Sequence, residues 1–335
     1  MKRLISLFAA GFAAAPAFAE DPVIGAPKPG GIGFQPPATS LAEDAFWFHD
    51  VILMPIITII SLFVTVLLIW VMIRYNKKSN PVPSTFTHNT TAEVLWTGIP
   101  VLILIAIAWF SFPLLYKFDA EPDLQAIAAS EADVTPEADR AAAELGWINI
   151  KAQGNQWNWT YTYPDFTDAD GYPVQFTSNG VHKNRSDDRK NYDSLGRSVP
   201  FEDLPKNLAV DYPVVLPEGR YIRYYTAAAD VIHAWTVPAF AVKTDAIPGR
   251  LNQGWFKVDK PGVYYGQCSE ICGKDHGYMP IEVRIVSQAK FDRWMQTMMA
   301  GDFDEAYEQV ADIASLGDDD TQPASSATPE VFEDK

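Results

Sequence analysis

The sequence predicts a two-part molecule, a membrane hairpin of two helices followed by an all-β sandwich or barrel. Three observations predict it. Residues 51–73 and 94–116 are runs of 23 without a single charge, and about 20 apolar residues let a helix cross the hydrocarbon core of a bilayer. From Trp147 onward, bulky and polar residues alternate over short runs parted by turn signals such as Pro217-Glu-Gly219, Pro248-Gly249 and Pro261-Gly262, the pattern of many short strands. The chain also opens with the marks of export, which puts its bulk outside the cell membrane.

The elements follow in order. Met1-Lys2-Arg3 is basic, residues 4–14 are apolar, and Ala17-Phe18-Ala19 suits cleavage before Glu20. Residues 1–19 are therefore read as a cleaved signal peptide, outside the fold. Residues 20–44, rich in Gly and Pro, are an irregular lead-in. The two-helix transmembrane hairpin occupies 45–118, with Pro55, Pro100 and Pro113 expected near helix ends, where a missing N–H costs least. Its connector, 74–92, carries Arg74, Lys77 and Lys78 and no acid, which keeps it cytoplasmic. Both termini and the β domain then lie in the periplasm, on a bacterial inner membrane.

Residues 119–145 form an acidic, Ala-rich linker. The β domain spans 146–287, with strands expected at 147–150, 156–163, 214–216, 221–226, 234–237, 253–258, 262–267 and 279–286. A polar loop insertion interrupts it at 166–207. Residues 288–300 read as an amphipathic helix with Phe291, Trp294, Met295 and Met298 at helical spacing. The segment 301–335, with eleven acids and one lysine beyond Gly301, is expected to be a flexible acidic tail. A net charge of −16 excludes nucleic acid as a partner and suits a basic protein.

The chemistry is concentrated in Cys268-Ser-Glu-Ile-Cys272-Gly-Lys-Asp-His276-Gly-Tyr-Met279. A disulfide between residues four apart would close a tiny loop and stabilise little, and it leaves His276 and Met279 without a purpose. Zinc would accept two Cys and two His but leaves Met279 idle. Thioether is a ligand typical of copper. Single-copper electron-transfer sites use two His, one Cys and a weak axial Met, in the order found here once His233 is counted as the upstream ligand. The additional cysteine lets two thiolates bridge two coppers. His233 and His276 then serve one copper each, and the weak positions fall to Met279 and the Glu270 carbonyl. Such a site passes electrons and offers no open position for substrate.

With these residues the chain resembles subunit II of the haem-copper cytochrome c oxidases, over nearly all of 46–299. The motifs that carry the resemblance are Gly154-Asn-Gln156-Trp157-Asn-Trp159, Asp230-Val-Ile-His233-Ala-Trp235, Lys243-Thr-Asp-Ala-Ile-Pro-Gly-Arg-Leu-Asn-Gln253 and Tyr264-Tyr-Gly-Gln-Cys-Ser-Glu-Ile-Cys-Gly273. The resemblance implies a cupredoxin-like Greek-key domain carrying a binuclear copper centre. It also implies a magnesium ion shared with subunit I through the Glu270 side chain, a carboxylate that suits a hard cation. Trp157 would be where an electron enters from a basic cytochrome c, docked on Asp211, Asp230 and Asp165. Thr162 stands where many relatives have an acid. Glu93 would mark the cytoplasmic mouth of a proton pathway, as a glutamate at a membrane edge can. Subunits I and III, membrane lipid and cytochrome c are the implied partners, with oxygen reduction and proton pumping carried out in subunit I.

Other readings fit less well. A nitrous oxide reductase would be a long soluble chain with a propeller, and a quinol oxidase subunit would lack the copper ligands. A membrane-anchored copper carrier would expose an exchangeable site. No Cys-x-x-Cys-His is present to attach haem.

Overall fold

A computed structural model describes residues 23–318, apart from 27, 29, 83, 132 and 133. The signal peptide and residues 319–335 of the tail lie outside the described residues.

The chain enters through a two-residue strand, β1 (Val23–Ile24), which pairs in parallel with a later strand of the sandwich. Farther along the lead-in, Ala38 N donates to Ala239 O at 2.8 Å and Thr39 Oγ1 to Phe240 O at 3.0 Å. The lead-in is thus strapped to the domain by one backbone and one side-chain donor. Thr39 then caps α1 (Ser40–Trp47) by accepting from Ala42 N, relieving one orphan N–H of the first turn. A π-helical turn over Phe48–Leu53 runs on into α2 (Met54–Arg74). After the connector, Asn89 caps α3 (Thr90–Asp119). Pro100 and Pro113 fall inside α3, not near its ends, because the Asn89 cap and residues 117–119 extend the helix beyond the uncharged run. The two helical stretches, 40–74 and 90–119, are long and apolar enough to cross a membrane. No residue of α2 or α3 is buried, so their side chains are left for lipid or partner helices.

Two short helices, α4 (Leu124–Ala128) and α5 (Glu137–Glu144), follow in the acidic segment. Leu124, Ala142 and Ala143 pack with Tyr221 in a small cluster of their own. Arg223 fixes the junction: it makes two hydrogen bonds to Glu121 at 2.7 and 2.6 Å and lies 4.4 Å from the ring centroid of Trp147.

The β domain is a sandwich of two main sheets. One contains, in chain order, β2 (Trp147–Asn155), β3 (Asn158–Thr167), β4 (Pro173–Ser178), β6 (Tyr221–Ala228) and β9 (Asn252–Lys257), arranged β4-β3-β2-β6-β9. The other is β1-β10-β11-β5, with β5 (Val214–Pro217), β10 (Gly262–Gln267) and β11 (Pro280–Val286). A ribbon of β7 (His233–Val237) and β8 (Val242–Ala246) completes the fold. Alternation does the work of burial: Ile148, Ile150 and Ala152 on β2, and Trp159, Tyr161 and Tyr163 on β3, all point into one core, as a period of two requires. The Tyr163 hydroxyl donates to Val215 O at 2.9 Å, linking the two sheets.

Two stretches hold more structure than their composition announces. The 166–207 insertion carries β4, then α6 (Ser186–Ser194) and a 3₁₀ turn at Phe201–Asp203. A small core of Val181, Tyr192, Phe201, Leu204 and Ala209 holds it together. After α7 (Gln288–Met299), which buries Phe291, Trp294, Met295 and Met298 as its spacing predicts, the chain does not become a free tail at Gly301. Helix α8 (Phe303–Glu308) and a 3₁₀ turn at Ile313–Ser315 pack Ala306, Tyr307, Val310 and Leu316 against the sandwich. The buried Arg284, paired with Glu282 at 2.8 Å, donates to Val310 O. Apolar residues at helical spacing outweigh the acids as far as residue 318.

Candidate metal centre

The centre forms where β7 begins and the β10–β11 loop folds back under it. His233 opens β7 with no exposure. Gly154 on the neighbouring β2 makes room for it: a Cβ there would lie 2.7 Å from the imidazole ring. Cys268 follows β10 directly, and a tight loop returns through His276, in a 3₁₀ turn, to Met279 at the start of β11. Ser269 N donates to Ala234 O at 3.2 Å, and Gln156 Nε2 donates to Cys272 O at 2.8 Å. The loop is therefore pinned from both sides.

Both cysteines are free and buried, with sulfurs 3.8 Å apart, well beyond the roughly 2 Å of a disulfide. The other donors divide between them. His233 Nδ1 lies 3.9 Å from Cys268 Sγ, and the Glu270 carbonyl lies 3.3 Å from it. His276 Nδ1 and Met279 Sδ each lie 3.5 Å from Cys272 Sγ. His233, Cys268 and Cys272 bring their donor atoms within 4.8 Å of one another. Each sulfur thus has one imidazole and one weaker donor, giving two half-sites joined at the sulfur pair.

Electrostatics favour a cation here. Burial works against a Cys268 thiolate, but His233, the Ala234 N–H and neighbouring groups outweigh it, bringing its pKa down to about 7. Burial and the Cys268 charge push Cys272 up to about 12. The second proton is hard to lose unless positive charge arrives, as metal binding supplies it. His233 Nε2 sits 2.9 Å from Asp230 Oδ1, so the carboxylate holds the proton on that nitrogen and turns Nδ1 toward the sulfurs, the usual outer support of a metal-bound histidine. Burial opposes ionisation of Asp230. The bonds from His233, Val231 N and Gln156 N prevail and hold its pKa low.

The donor set fits copper: two thiolates, two imidazoles and a thioether are soft-to-borderline ligands.

The remaining expected residues lie as follows. Trp157 is not on a strand. It sits half-buried at the tip of the β2–β3 hairpin and donates from Nε1 to Cys272 O at 3.2 Å, while Trp159 is fully buried in the core. Glu270 is exposed. The three acids read as docking charges all accept backbone N–H groups. Asp230 takes Gln156 N and Val231 N, Asp211 takes Asn179 N and Tyr212 N, and Asp165 takes Asn149 N. Asp230 and Asp211 are near Trp157. Asp165 is not: β2 and β3 pair Asn155 with Asn158 and Lys151 with Thr162, so Asp165 lies toward the opposite end of the hairpin, about 20 Å along the strand. Thr162 donates to Gln175 Oε1. Glu93 Oε1 accepts Asn89 N at 3.1 Å and so helps cap α3. Sequence reasoning missed Gln156 and Asp230 as supports of the ligands. The short distance in sequence from Asp230 to His233, and from Gln156 to Trp157, was the available signal.

Fold and site together define a membrane-anchored β-sandwich metalloprotein of Cys/His/Met donor type. Family models described as "Cytochrome C oxidase subunit II, periplasmic domain" and "Cytochrome C oxidase subunit II, transmembrane domain" match residues 148–286 and 27–114. The chain is 38% identical over 283 residues to cytochrome c oxidase subunit 2 of Cereibacter sphaeroides, covering 84% of this chain and 85% of that protein. It is 39% identical over 295 residues to a probable cytochrome c oxidase subunit 2 of Rickettsia bellii, covering 88% and 92%. A crystal structure of the periplasmic domain of subunit II of cytochrome oxidase from Bradyrhizobium japonicum shares 42% identity, with 45% of this chain and 92% of that one covered and a TM-score of 0.37. The chain belongs to the cytochrome c oxidase subunit II family, a component of the terminal oxidase complex, with a membrane hairpin and a periplasmic copper-type domain.

Proposed function

We propose that this subunit accepts electrons from a basic cytochrome c at a two-copper centre held by His233, Cys268, the Glu270 carbonyl, Cys272, His276 and Met279. It passes them to the haem and copper of subunit I, where oxygen is reduced and protons are pumped. The observation that carries this is the division of donors into two half-sites around sulfurs 3.8 Å apart. One copper would leave half of those donors without a role. Bound copper supplies a one-electron couple shared across the pair.

The chain's own residues do the rest. Asp230 fixes the His233 tautomer, and Gln156 and Trp157 hold the Cys272 carbonyl. The Trp157 indole joins the surface to the ligand loop through one hydrogen bond, which suits it as the point where electrons enter. The burial of His233, Cys268, Cys272 and Met279 supports a retained cofactor over a copper carrier's exchange site. The exposed Glu270 carboxylate suits a magnesium ion shared with subunit I. Glu93 suits a proton entrance at the cytoplasmic edge. Asp230 and Asp211 place negative charge beside Trp157, whereas Asp165 is too distant to join them. The basic 74–92 connector supports a bacterial inner-membrane orientation with the domain outside, and the open helix faces suit subunits I and III.

Electron paramagnetic resonance of the copper-loaded chain tests the centre. Hyperfine coupling shared equally by two copper nuclei is expected. A single-copper pattern, or retained zinc without copper uptake, overturns the reading.

A further inference from the structure

We infer that the 166–207 insertion is a latch on the ligand loop, with Arg185 and His182 as positioning residues for His276 and Met279. That role rests on the two-copper reading above, whereas the hold on the loop does not.

The two half-sites are supported by different parts of the chain. His233 stands on β7 with Asp230 bonded to its outer nitrogen, and Ser269, next to Cys268, donates from N to Ala234 O at 3.2 Å. The second half-site is carried on the 3₁₀ turn His276–Tyr278 that runs into Met279. Its backbone bonds are short-range, from His276 N to Gly273 O at 3.2 Å and from Tyr278 N to Asp275 O at 2.8 Å. Among the described residues His276 has no carboxylate partner, and its Nδ1 contact is Cys272 Sγ. A turn closed mainly on itself opens easily, because ordering each residue costs conformational entropy.

The insertion supplies the missing support, and it grips the residue ahead of each ligand. Arg185 pairs with Asp275, next to His276, at 2.8 Å. The same guanidinium lies 4.5 Å from the ring centroid of Tyr278, next to Met279. His182 Nε2 lies 2.9 Å from the Tyr278 carbonyl oxygen, which can only accept, so that nitrogen donates. The His182 and Tyr278 rings also meet edge to face at 5.0 Å. The Arg185 side chain is 38% exposed, so its charge alone would hold the turn weakly. Ring contact and a buried histidine donor make the hold geometric as well as electrostatic.

The grip is itself anchored. Val181 N donates to Ala209 O at 2.9 Å, His182 N to Asp188 Oδ2 at 3.0 Å and Arg185 N to His182 O at 3.0 Å. The small core around Val181 and Tyr192 backs this turn. Gly180 permits the close approach, since a Cβ there would lie 2.4 Å from His182 Nε2 and 2.8 Å from Pro280 Cδ. The ligand loop is thus shaped before any metal binds, and a site shaped in advance binds more tightly.

The test uses the full chain in detergent, with hydrogen exchange on the copper-free form and copper binding on the loaded one. Arg185→Ala should speed exchange at the His276 and Tyr278 amides at least about tenfold and leave the amides of β2 unchanged. Copper affinity, by competition with a chelator, should fall about tenfold. The hyperfine coupling should become unequal between the two nuclei as the His276 half shifts. Arg185→Lys keeps the charge without the planar contact on Tyr278 and should recover less than half of each change. His182→Gln keeps an N–H for the Tyr278 carbonyl and should exchange within about threefold of the parent, whereas His182→Phe should resemble Arg185→Ala. Lys190→Ala removes an equal charge from the exposed side of α6 and should change exchange less than about twofold. Unchanged exchange at His276 and Tyr278 in both Arg185→Ala and His182→Phe, or an equal rise in Lys190→Ala, overturns the latch. So does a rise that spreads to β2, which marks general loosening of the sandwich. A parent chain that takes up a single copper fails the two-copper reading instead, while exchange in the copper-free chain still judges the latch.

Discussion

The ligand loop and the membrane hairpin are opposite solutions to the same chain. Around Cys268 and Cys272, each ligand is placed by the chain itself: Asp230 orients His233, Gln156 holds the Cys272 carbonyl, and Gly154 leaves room for the imidazole. In α2 and α3 no residue is buried, and the helices have caps and apolar faces but few internal partners. The difference teaches where this subunit is complete. Its candidate metal site is prepared within one polypeptide, while its two membrane helices bury no residue against the rest of the chain. Substitutions at the first region should damage the centre even in the isolated chain, and those at the second should be felt mainly in the complex.

The sharpest way to break the contrast is Cys272→Ser. It removes one of the two thiolates of the proposed pair and leaves His276 and Met279 beside a hydroxyl. The resonance should collapse to coupling with one copper nucleus, and oxidase turnover should fall more than about 100-fold, beyond what loss of an outer support costs. A retained two-copper spectrum would mean that the pair does not depend on both sulfurs. Asp230→Asn comes next. The amide can still accept from one donor, but the charge that holds the Nε2 proton of His233 is gone. Copper affinity, measured by competition with a chelator, should fall about 10–100-fold while the far-ultraviolet circular dichroism of the sandwich stays the same.

The two regions also differ in how they were written in the sequence. Uncharged runs of 23 residues announce membrane helices, because hydrocarbon accepts little else. The candidate ligands are legible because Cys, Cys, His and Met recur within twelve residues, a density that ordinary packing does not need. Strand alternation located most of the sandwich. What stayed hidden has physical reasons. Trp157 and Trp159, two apart, look like one face of a strand, but a turn at 156–157 puts one at the tip and one in the core. Acids count as surface charge in a composition, yet Asp165, Asp211 and Asp230 each spend their oxygens on backbone N–H groups, a choice made by loop geometry. Beyond Gly301, acid-rich composition masks the apolar spacing of Ala306, Tyr307 and Val310, which meets the buried Arg284 across the core.

Glu93 sharpens the comparison at its membrane end, because capping and proton delivery ask different things of it. Glu93→Gln keeps an oxygen to accept Asn89 N, so the helix should lose no more than a few tenths of a kcal/mol, whereas Glu93→Ala leaves that donor unmet and costs up to about 1 kcal/mol. Neither amide nor methyl can carry a proton. Both variants should therefore slow turnover of the complex by a similar factor while differing in helix stability. Turnover that follows stability, with Gln near parent, would leave Glu93 as a cap alone.

The junction between the regions gives the smallest expected effect. Arg223 grips Glu121, two residues beyond the end of α3, and covers Trp147 at the start of β2. Both charged side chains are about one-quarter exposed, 24% and 27%, so their attraction is only partly screened. The fork is bidentate, and Arg is the residue whose planar geometry rewards this arrangement. Exposed ion pairs typically contribute 0.2–1 kcal/mol, and hydrogen bonds to charged groups about 1.5–3 kcal/mol. A double-mutant cycle of Arg223→Ala and Glu121→Ala, read by thermal unfolding of the full chain in detergent, should give a coupling of about 1–2 kcal/mol, with the copper resonance unmoved in all three variants. Arg223→Lys should recover less than half of that coupling, since one ammonium cannot reproduce the fork or the stacking on Trp147. A coupling below about 0.3 kcal/mol would mean that this pair does not fasten the β domain to the end of α3, and that the bonds from Ala38 and Thr39 to Ala239 and Phe240 carry the junction instead.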